Sequence, residues 1–178
     1  MEKYVLKELI SREQIKERIK SLSLEINAFF GEKSYIVVGV LKGALFFMAD
    51  LLKNLENYET YDFIQAKSYV GKDTTGVVEI LKGPSVDING KDILVIEDIL
   101  DTGITANSIK DYLYKKGAKN IYFCTFLDKP SRRIKPIIPH FCGYNIDNFF
   151  VVGYGLDFNE QFRSRQAIYV LETDVTNL

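Results

Sequence analysis

The feature that most constrains the fold is a short apolar run, Ile93–Ile96, which leads directly into two carboxylates. An unbroken run of this kind, rich in β-branched residues, is typical of a strand that is buried on both faces of a parallel sheet. Glu97 and Asp98 follow it, and then come a polar turn, Asp101–Thr105, and a segment with helical periodicity, 106–116. Ligands of open α/β sheets bind beyond the carboxyl ends of the strands, and a helix N-terminus offers N–H groups to an anion. This layout predicts a site for a ligand that carries a phosphate and vicinal hydroxyls.

Segments with strand and helix patterns alternate along the rest of the chain. We predict helices over 12–30 and 44–55, and strands over 35–40, 61–70, 77–81, 120–127, 149–155 and 167–172. Residues 1–10 are interpreted as a lead-in, 61–83 as a long hairpin with a polar, mobile tip, and 128–139 as a loop. The alternation predicts an α/β fold whose mainly parallel, twisted sheet is flanked by helices. The length, 178 residues, predicts a single domain, 1–178.

Composition excludes several classes of function. The formal net charge is −1, which argues against nucleic acid or an anionic membrane as a partner. The sequence has one histidine and two cysteines outside any C-x-x-C motif, which argues against a zinc site. Cys124 lies in an apolar run and is expected in the core, although a disulfide stays open. The N-terminus lacks a signal-peptide pattern and no apolar run has transmembrane length, so we expect a soluble, cytoplasmic protein.

The polar residues after the Ile93–Ile96 run allow two interpretations when they are taken alone. Glu97 and Asp98 are either ordinary loop or capping residues or a pair that holds a sugar diol, Mg²⁺, or both. Asp101–Thr105 is either an ordinary turn or a phosphate cradle. In the second case Gly103 permits a positive φ, and threonine hydroxyls join a nest of backbone N–H groups. The sequence contains neither a P-loop nor a G-x-G-x-x-G fingerprint.

Residues 93–105 resemble the phosphoribosyl pyrophosphate signature of the purine phosphoribosyltransferases, and further segments of that family's pattern occur in its order. Val40–Gly43 resembles the pyrophosphate loop, and Lys67–Tyr69 the start of a mobile catalytic loop. Leu127–Arg133 is similar to the bacterial form of the family's segment that carries the purine-binding lysine. Phe149–Phe158, followed by Arg163, is similar to the purine-binding strand of the hood and the segment after it. The chain is identified as a member of the type I purine phosphoribosyltransferase family. The resemblance implies that family's fold, with a small hood and a mobile β-hairpin loop.

The resemblance also implies an activity. The enzyme would transfer the 5-phosphoribosyl group from phosphoribosyl pyrophosphate to N9 of hypoxanthine or guanine, giving IMP or GMP and pyrophosphate. Glu97 and Asp98 would hold the ribose hydroxyls, partly through Mg²⁺, and Asp101 would accept a proton from N7 of the purine. The residues implied to bind the 5-phosphate are Asp101, Thr102, Gly103, Ile104 and Thr105.

Other residues receive their roles from the resemblance alone. Those implied for pyrophosphate are Leu41, Lys42, Gly43, Ser68, Tyr69 and Arg163, and the family's peptide at Leu41–Lys42 is often cis. Those implied for the purine are Lys129 (to O6), Phe150 (by stacking), Val151 (through its main chain) and Asp157. The implied Mg²⁺ ligands are Glu97, Asp98 and Asp157. Without the resemblance, Phe150 would be interpreted as a core aromatic, and Asp157 and Arg163 as surface residues.

Two alternatives to this activity stay open. One is a relative that prefers xanthine or guanine. The other is a regulatory protein that senses phosphoribosyl pyrophosphate while binding nucleic acid. Asp101, Lys129, Arg163 and the net charge of −1 argue against the regulator. Because the family often forms dimers and tetramers, we expect a homo-oligomer by analogy.

Overall fold

The apolar runs form the inner strands of a six-stranded sheet. The structure, a computed structural model, describes residues 4–71 and 74–173. The helices of this part of the chain are α1 (Arg12–Phe30), α2 (Leu45–Leu52) and α3 (Ile104–Lys115), with a 3₁₀ turn at Pro130–Arg132. The strands are β1 (Tyr4–Ile10), β2 (Tyr35–Leu41), β3 (Tyr58–Gly71), β4 (Thr74–Lys82), β5 (Asp92–Leu100), β6 (Asn120–Asp128), β7 (Phe141–Asn145), β8 (Val151–Val152) and β9 (Ile168–Thr173).

The main sheet has the order β4-β3-β2-β5-β6-β7. Its strands pair in parallel from β3 to β7, and only β4 runs antiparallel to its neighbour β3. The parallel direction brings the carboxyl ends of β2, β5 and β6 to one edge, where the sequence analysis expects the ligand. The predicted α/β class with a mainly parallel sheet is confirmed, and so is the predicted hairpin, which is formed by β3 and β4.

Both faces of the main sheet are covered. On β5, Leu94 and Ile96 belong to a core shared with α1 and α2, whereas Ile93 and Val95 belong to a core shared with α3. All four side chains are fully buried. The run is therefore apolar at every position because successive strand residues point to opposite faces and neither face meets water.

Helix α1 begins and ends as its sequence predicts. The Ser11 hydroxyl accepts a hydrogen bond from the Gln14 N–H (3.2 Å), and the Ser11 N–H donates to the Gln14 side chain (2.8 Å), so the capping box is complete. Gly31 caps the other end with φ +55°. The helix buries one stripe at helical spacing: Ile15, Ile19, Leu22, Ile26 and Phe30. None of the helices in the described ranges is long and apolar enough to cross a bilayer.

A second, three-stranded sheet forms a hood, with the antiparallel order β1-β9-β8. The interpretation of residues 1–10 as a lead-in was wrong, because Tyr4–Ile10 is strand β1. This strand pairs along β9, from Tyr4 opposite Thr173 to Ile10 opposite Ile168. No local pattern reveals a strand whose only partner lies at the other end of the chain.

Other predicted bounds need correction. The strand predicted over 149–155 is limited to Val151–Val152, because Gly153, Tyr154 and Gly155 have φ of +98°, +49° and +102° and turn the chain away from the sheet. Helix α2 ends at Leu52 rather than at residue 55. Strand β7, at the edge of the main sheet, was not predicted. Strand β5 does not end before the two carboxylates but continues beside β6 to Leu100.

Candidate active site

A cavity of about 420 Å³ opens at the carboxyl edge of the main sheet. It lies where β2, β5 and the N-terminus of α3 meet. The segment after β8, residues 153–163, which we call the hood loop, contributes Asp157 and Arg163 to its lining. Its polar lining includes residues that the sequence predicts for ribose, phosphate and pyrophosphate: Lys42, Gly43, Glu97, Asp98, Asp101, Thr102, Gly103, Thr105 and Arg163. Asp157, predicted for the purine and for Mg²⁺, lines it as well. Leu41 also lines it, whereas Ile104 does not.

The two carboxylates of β5 form the floor of this cavity. Successive residues of a strand leave the backbone on opposite sides. The charge of Arg133 acts on Glu97 and that of Arg163 on Asp98. Burial raises the pKa of Glu97 to about 8, and the charge of Asp98 adds to this effect. Burial likewise raises the pKa of Asp98 to about 6. Two desolvated acids at the bottom of a polar cavity favour a bound cation or hydroxyl donors.

The turn after β5, which we call the phosphate loop (101–105), leads into α3. Gly103 precedes the helix with φ +79°, and a Cβ there would lie 2.4 Å from the Lys135 carbonyl oxygen. The Thr102 hydroxyl lies within 3.4 Å of the Ile104 N–H. In the described part of the chain, the N–H groups of Thr102 and Gly103 donate to no protein acceptor. The loop thus offers backbone donors and a helix N-terminus to an anion.

Asp101 lies at the mouth of the cavity rather than in its floor. Its side chain is 38% exposed, and the Arg132 Nε atom lies 3.2 Å from its Oδ1. A bond of this kind between exposed groups is weak, so a ligand can displace it. The Asp101 carboxylate is therefore accessible to a ligand that lies over the phosphate loop.

The end of the cavity that the resemblance assigns to pyrophosphate is built by a network of charged side chains. The Leu41–Lys42 peptide bond is cis, as the resemblance implied. The Lys42 ammonium contacts Glu160 (2.9 Å), and Arg163 contacts both Asp157 (2.8 Å) and Glu160 (3.3 Å). Asp157 and Arg163 are thus partners of each other and not isolated surface residues.

Two glycines allow the pyrophosphate loop to approach its neighbours. A Cβ at Gly43 would lie 1.7 Å from a carboxylate oxygen of Asp98. A Cβ at Gly155 would lie 1.9 Å from the Gly43 carbonyl oxygen, and Gly155 has φ +102°. The hood loop therefore meets the pyrophosphate loop through backbone atoms, and the pyrophosphate loop meets β5 through the Asp98 carboxylate.

Gly155→Ala is expected to lower both stability and activity. The new methyl group must push the Gly43 carbonyl away, and alanine is strained at a positive φ, so we expect a loss of about 2–4 kcal/mol in the free energy of unfolding. Denaturant titration measures this loss. Gly90→Ala is the control, because Gly90 also has a positive φ (+70°) but no atom lies within 4 Å of its Cβ position. Equal losses for the two variants would show that the contact with Gly43 contributes nothing.

Of the residues assigned to the purine, Asp157 lines the cavity, whereas Lys129, Phe150 and Val151 do not. Lys129 is buried, its ammonium donates to the Phe149 carbonyl (2.6 Å), and desolvation lowers its pKa. The Phe150 ring is 52% exposed and is held edge-on by Phe158 at 5.6 Å. The interpretation of Phe150 as a core aromatic is therefore wrong. Val151 is buried in β8. The side chains of Ser68 and Tyr69 lie outside the described residues.

Sequence reasoning missed two charged residues at this site. Glu160 holds Lys42 and Arg163, and Arg133 contacts Asp128 and the main chain before the phosphate loop. The signal for Glu160 was its i,i+3 spacing from both Asp157 and Arg163. For Arg133 the only signal was a pair of adjacent arginines, and a sequence does not show which of two neighbours points inward.

Two buried side-chain atoms have no hydrogen-bond partner within the described ranges, and both belong to residues that line this cavity. They are Oε2 of Glu97 and Nε of Arg163. Unsatisfied buried groups are rare in native proteins, and each calls for an explanation. The unpaired acceptor, Glu97 Oε2, indicates a hydroxyl or a cation in the ligand. The unpaired donor, Arg163 Nε, indicates an anionic group in the same ligand.

Comparison with known proteins gives the class to which this fold and site belong. Residues 6–159 match the family model described as phosphoribosyl transferase domain. A hypoxanthine-guanine phosphoribosyltransferase of Aquifex aeolicus is 41% identical, over 94% of this chain and 95% of that one. The corresponding protein of Bacillus subtilis is 42% identical, over 95% and 94% of the two chains.

A solved structure gives the same answer. It is a hypoxanthine-guanine phosphoribosyltransferase from Bacillus anthracis with a HEPES molecule in its active site, and it is 40% identical to this chain. The TM-score is 0.89, and the alignment covers 96% of this chain and all of that one (100%). By these relatives the chain belongs to the hypoxanthine-guanine phosphoribosyltransferase family.

Proposed function

We propose that this protein, as a single domain, transfers the 5-phosphoribosyl group of phosphoribosyl pyrophosphate to N9 of hypoxanthine or guanine. The products are IMP or GMP and pyrophosphate, which is a purine-salvage reaction. The observation that carries the proposal is the pair of unsatisfied buried atoms, Glu97 Oε2 and Arg163 Nε, in one cavity with the phosphate loop. Few ligands other than a sugar that carries both a phosphate and a pyrophosphate would bind Glu97 Oε2, Arg163 Nε and the phosphate loop at once.

The substrate is expected to span the cavity from the phosphate loop to the pyrophosphate loop. The 5-phosphate would accept hydrogen bonds from the N–H groups of residues 102–105 and from the threonine hydroxyls. The ribose hydroxyls would donate to Glu97 and Asp98. Lys42 and Arg163 would contact the pyrophosphate, and Ser68 and Tyr69 would approach it from the hairpin. Holding both ends fixes the anomeric carbon between them.

We infer that Mg²⁺ binds with the substrate. Glu97 and Asp98 would hold it, and Asp157 would take part in a second Mg²⁺ site. Residues 4–71 and 74–173 contain no group of three His, Cys, Asp or Glu side chains that could hold a metal ion by themselves. This fits Mg²⁺, which commonly takes one or two carboxylates together with substrate phosphates. The unpaired Oε2 of Glu97 and the raised pKa values of both acids fit a cation as well. Bound Mg²⁺ would offset the negative charge of the pyrophosphate.

During the transfer, N9 of the purine would bond to the anomeric carbon as the bond to pyrophosphate breaks. The purine would lose its N7 proton to Asp101, which lies at the mouth of the cavity. Positive charge develops on the anomeric carbon, so water must be kept out. We propose that the β3–β4 hairpin covers the site during this step.

Purine selectivity is assigned to Lys129, Phe150, Val151 and Asp157. The Lys129 ammonium already donates to a carbonyl oxygen, that of Phe149, and a purine 6-oxo group offers the same acceptor. An amino group at that position is a donor and would be rejected. The exposed face of Phe150 would stack on the ring, and the Val151 main chain would meet the substituent at C2.

An assay of nucleotide formation tests the proposed function. The protein is incubated with Mg²⁺, phosphoribosyl pyrophosphate and, in separate reactions, hypoxanthine, guanine, xanthine or adenine. We expect product with hypoxanthine and guanine, and turnover with adenine lower by about 10²-fold or more, because Lys129 cannot donate to an amino group. A dominant rate with xanthine would identify the xanthine-preferring alternative. The absence of product with all four purines would defeat the enzyme assignment.

We further propose a cytoplasmic homo-oligomer, a dimer or a tetramer. Leu45 and Phe46 on α2 and Tyr61 on β3 expose much of their apolar surface, and a second copy of the chain could cover it. Cys124 and Cys142 are both free thiols, as is usual in a reducing compartment. Light scattering measures the assembly, and a monomer at working concentration would contradict this proposal.

A further inference from the structure

One arginine outside the proposed set of ligand-binding residues joins the two halves of the site. Arg133 donates through one nitrogen, Nη1, to the carbonyls of Leu100 (3.0 Å) and Asp101, and through the other, Nη2, to the carboxylate of Asp128. Its side chain is 14% exposed and that of Asp128 only 8%. The first two contacts hold the start of the phosphate loop, and the third holds the residue next to Lys129.

The carbonyl groups of residues 100–103 all accept hydrogen bonds from the protein. The Leu100 oxygen accepts from the Lys129 N–H (3.0 Å) as well as from Arg133. The Thr102 oxygen accepts from the N–H groups of residues 134 and 135, at 2.9 and 3.0 Å. The Gly103 oxygen accepts from the main chain and the side chain of Asn107. The Asp101 carbonyl oxygen differs, because within the described residues its only hydrogen-bond donor is Arg133.

Fixing a carbonyl also fixes the next N–H. A trans peptide is planar, and its C=O and N–H point in opposite directions. The contact at the Asp101 oxygen therefore orients the Thr102 N–H, and the contact at Leu100 orients the Asp101 N–H. The same contacts set the backbone from which the Asp101 carboxylate projects.

We infer that Arg133 is the positioning residue of this active site: it holds the phosphate loop with its N–H groups towards the 5-phosphate and ties that loop to the purine-binding lysine. Arg133 itself is not among the residues that line the cavity. The inference rests on the proposed function, because it concerns the phosphate and purine that this function requires.

The geometry requires arginine rather than any cation. A guanidinium presents several N–H donors in one plane, which matches two carbonyls on one side and a carboxylate on the other. A lysine would keep the charge next to Asp128 but cannot reproduce the planar set of contacts. Removal of the guanidinium would leave a buried carboxylate without its partner, which by itself destabilises a protein.

The chain contains a matched control for this structural contribution. Arg18 on α1 also bonds two successive carbonyls, those of Cys142 (2.7 Å) and Gly143 (2.9 Å), and one carboxylate, that of Glu25. Its side chain is 21% exposed. It joins α1 to β7, away from the phosphate loop. If arginine contacts of this kind only stabilise the fold, the two positions should respond alike.

The test compares Arg133→Met with Arg18→Met. A double variant, Arg133→Met/Asp128→Asn, has no unpaired carboxylate and replaces the single variant if Arg133→Met does not fold. Binding of ribose 5-phosphate is measured by calorimetry without metal, and KM and kcat are measured for phosphoribosyl pyrophosphate. We expect the Arg133 variants to weaken ribose 5-phosphate binding and to raise this KM by about 10–100-fold, because the phosphate donors are no longer held in place. Arg18→Met should lose stability while both quantities stay within twofold of the wild type. Arg133→Lys should recover only part of the loss.

The inference is overturned if the folded double variant binds ribose 5-phosphate as tightly as the wild type does. It is also overturned if Arg18→Met loses as much affinity, or if Arg133→Lys recovers all of it, because charge or stability alone would then explain the effect. Nucleotide formation by the wild type is measured in parallel. If the wild type forms nucleotide and the Arg133 variants behave normally, only the positioning role fails. A wild type that forms none contradicts the proposed function itself.

Discussion

Asp101→Asn is expected to lower kcat by about 10²–10⁴-fold, the usual contribution of a positioned general base, while KM for both substrates changes little. Asparagine has the same shape, and its amide oxygen can still accept from Arg132, which lies 3.2 Å from the carboxylate in this structure. It cannot accept the purine proton. The loss should therefore appear in the chemical step and not in binding.

Steady-state kinetics with hypoxanthine measure this effect. Asp87→Asn is a matched control, because Asp87 is an exposed carboxylate whose one hydrogen bond within residues 4–71 and 74–173 is accepted from the Asn89 N–H. It should behave as the wild type does. If Asp101→Asn keeps kcat within severalfold of the wild type, Asp101 is not the proton acceptor.

Lys129→Met should raise KM for hypoxanthine and guanine and lower kcat/KM by about 10²–10³-fold, because the purine O6 loses a charge-assisted hydrogen bond in a buried place. Methionine retains much of the apolar stem of lysine, so packing should be preserved. The affinity for ribose 5-phosphate should stay unchanged, since the phosphate loop is a separate part of the cavity. Selectivity against adenine should decrease.

Kinetics with each purine, together with ribose 5-phosphate binding, measure this pattern. The control is Lys119→Met on an exposed lysine far from the site, which should alter neither quantity. If the Lys129→Met enzyme retains its preference for hypoxanthine over adenine, Lys129 does not take part in purine recognition. A parallel loss of ribose 5-phosphate binding would indicate a general disturbance of the site.

The inner strands and α1 could be predicted because their signals are local. The run from Ile93 to Ile96 is apolar at every position since both faces of β5 are covered, and Ser11 and Gln14 mark the start of α1 by a pattern within four residues. Strand β1 carried no such signal. It exists because residues 168–173 lie beside it, and sequence order alone does not reveal that pairing.

The part of the candidate site assigned to ribose and phosphate could be located from the sequence for a similar reason. Glu97, Asp98 and the phosphate loop are contiguous in sequence, so a single stretch carries both their chemistry and the resemblance. The other half depends on distant contacts. The pairing of Lys42 with Glu160 spans 118 positions, and that of Arg133 with Leu100 spans 33. Contacts of this range follow from the folded topology, which is why Glu160 and Arg133 were missed.

A second cavity is the main alternative position for a bound nucleotide. It measures about 510 Å³, lies between α1, α2 and the hood, and is lined by cationic side chains that include Arg12, Lys16 and Arg165. Volume and positive charge alone would favour it as a nucleotide site. The unsatisfied buried atoms and the paired carboxylates lie instead in the cavity at the carboxyl edge of the sheet.

The structure of the protein with bound GMP would test the central claim most directly. We predict the 5′-phosphate on the N–H groups of the phosphate loop, the ribose hydroxyls at Glu97 and Asp98, and the purine O6 within hydrogen-bond distance of Lys129 Nζ. A nucleotide bound between α1 and α2, or one bound at the sheet edge with its phosphate away from residues 101–105, would contradict the account.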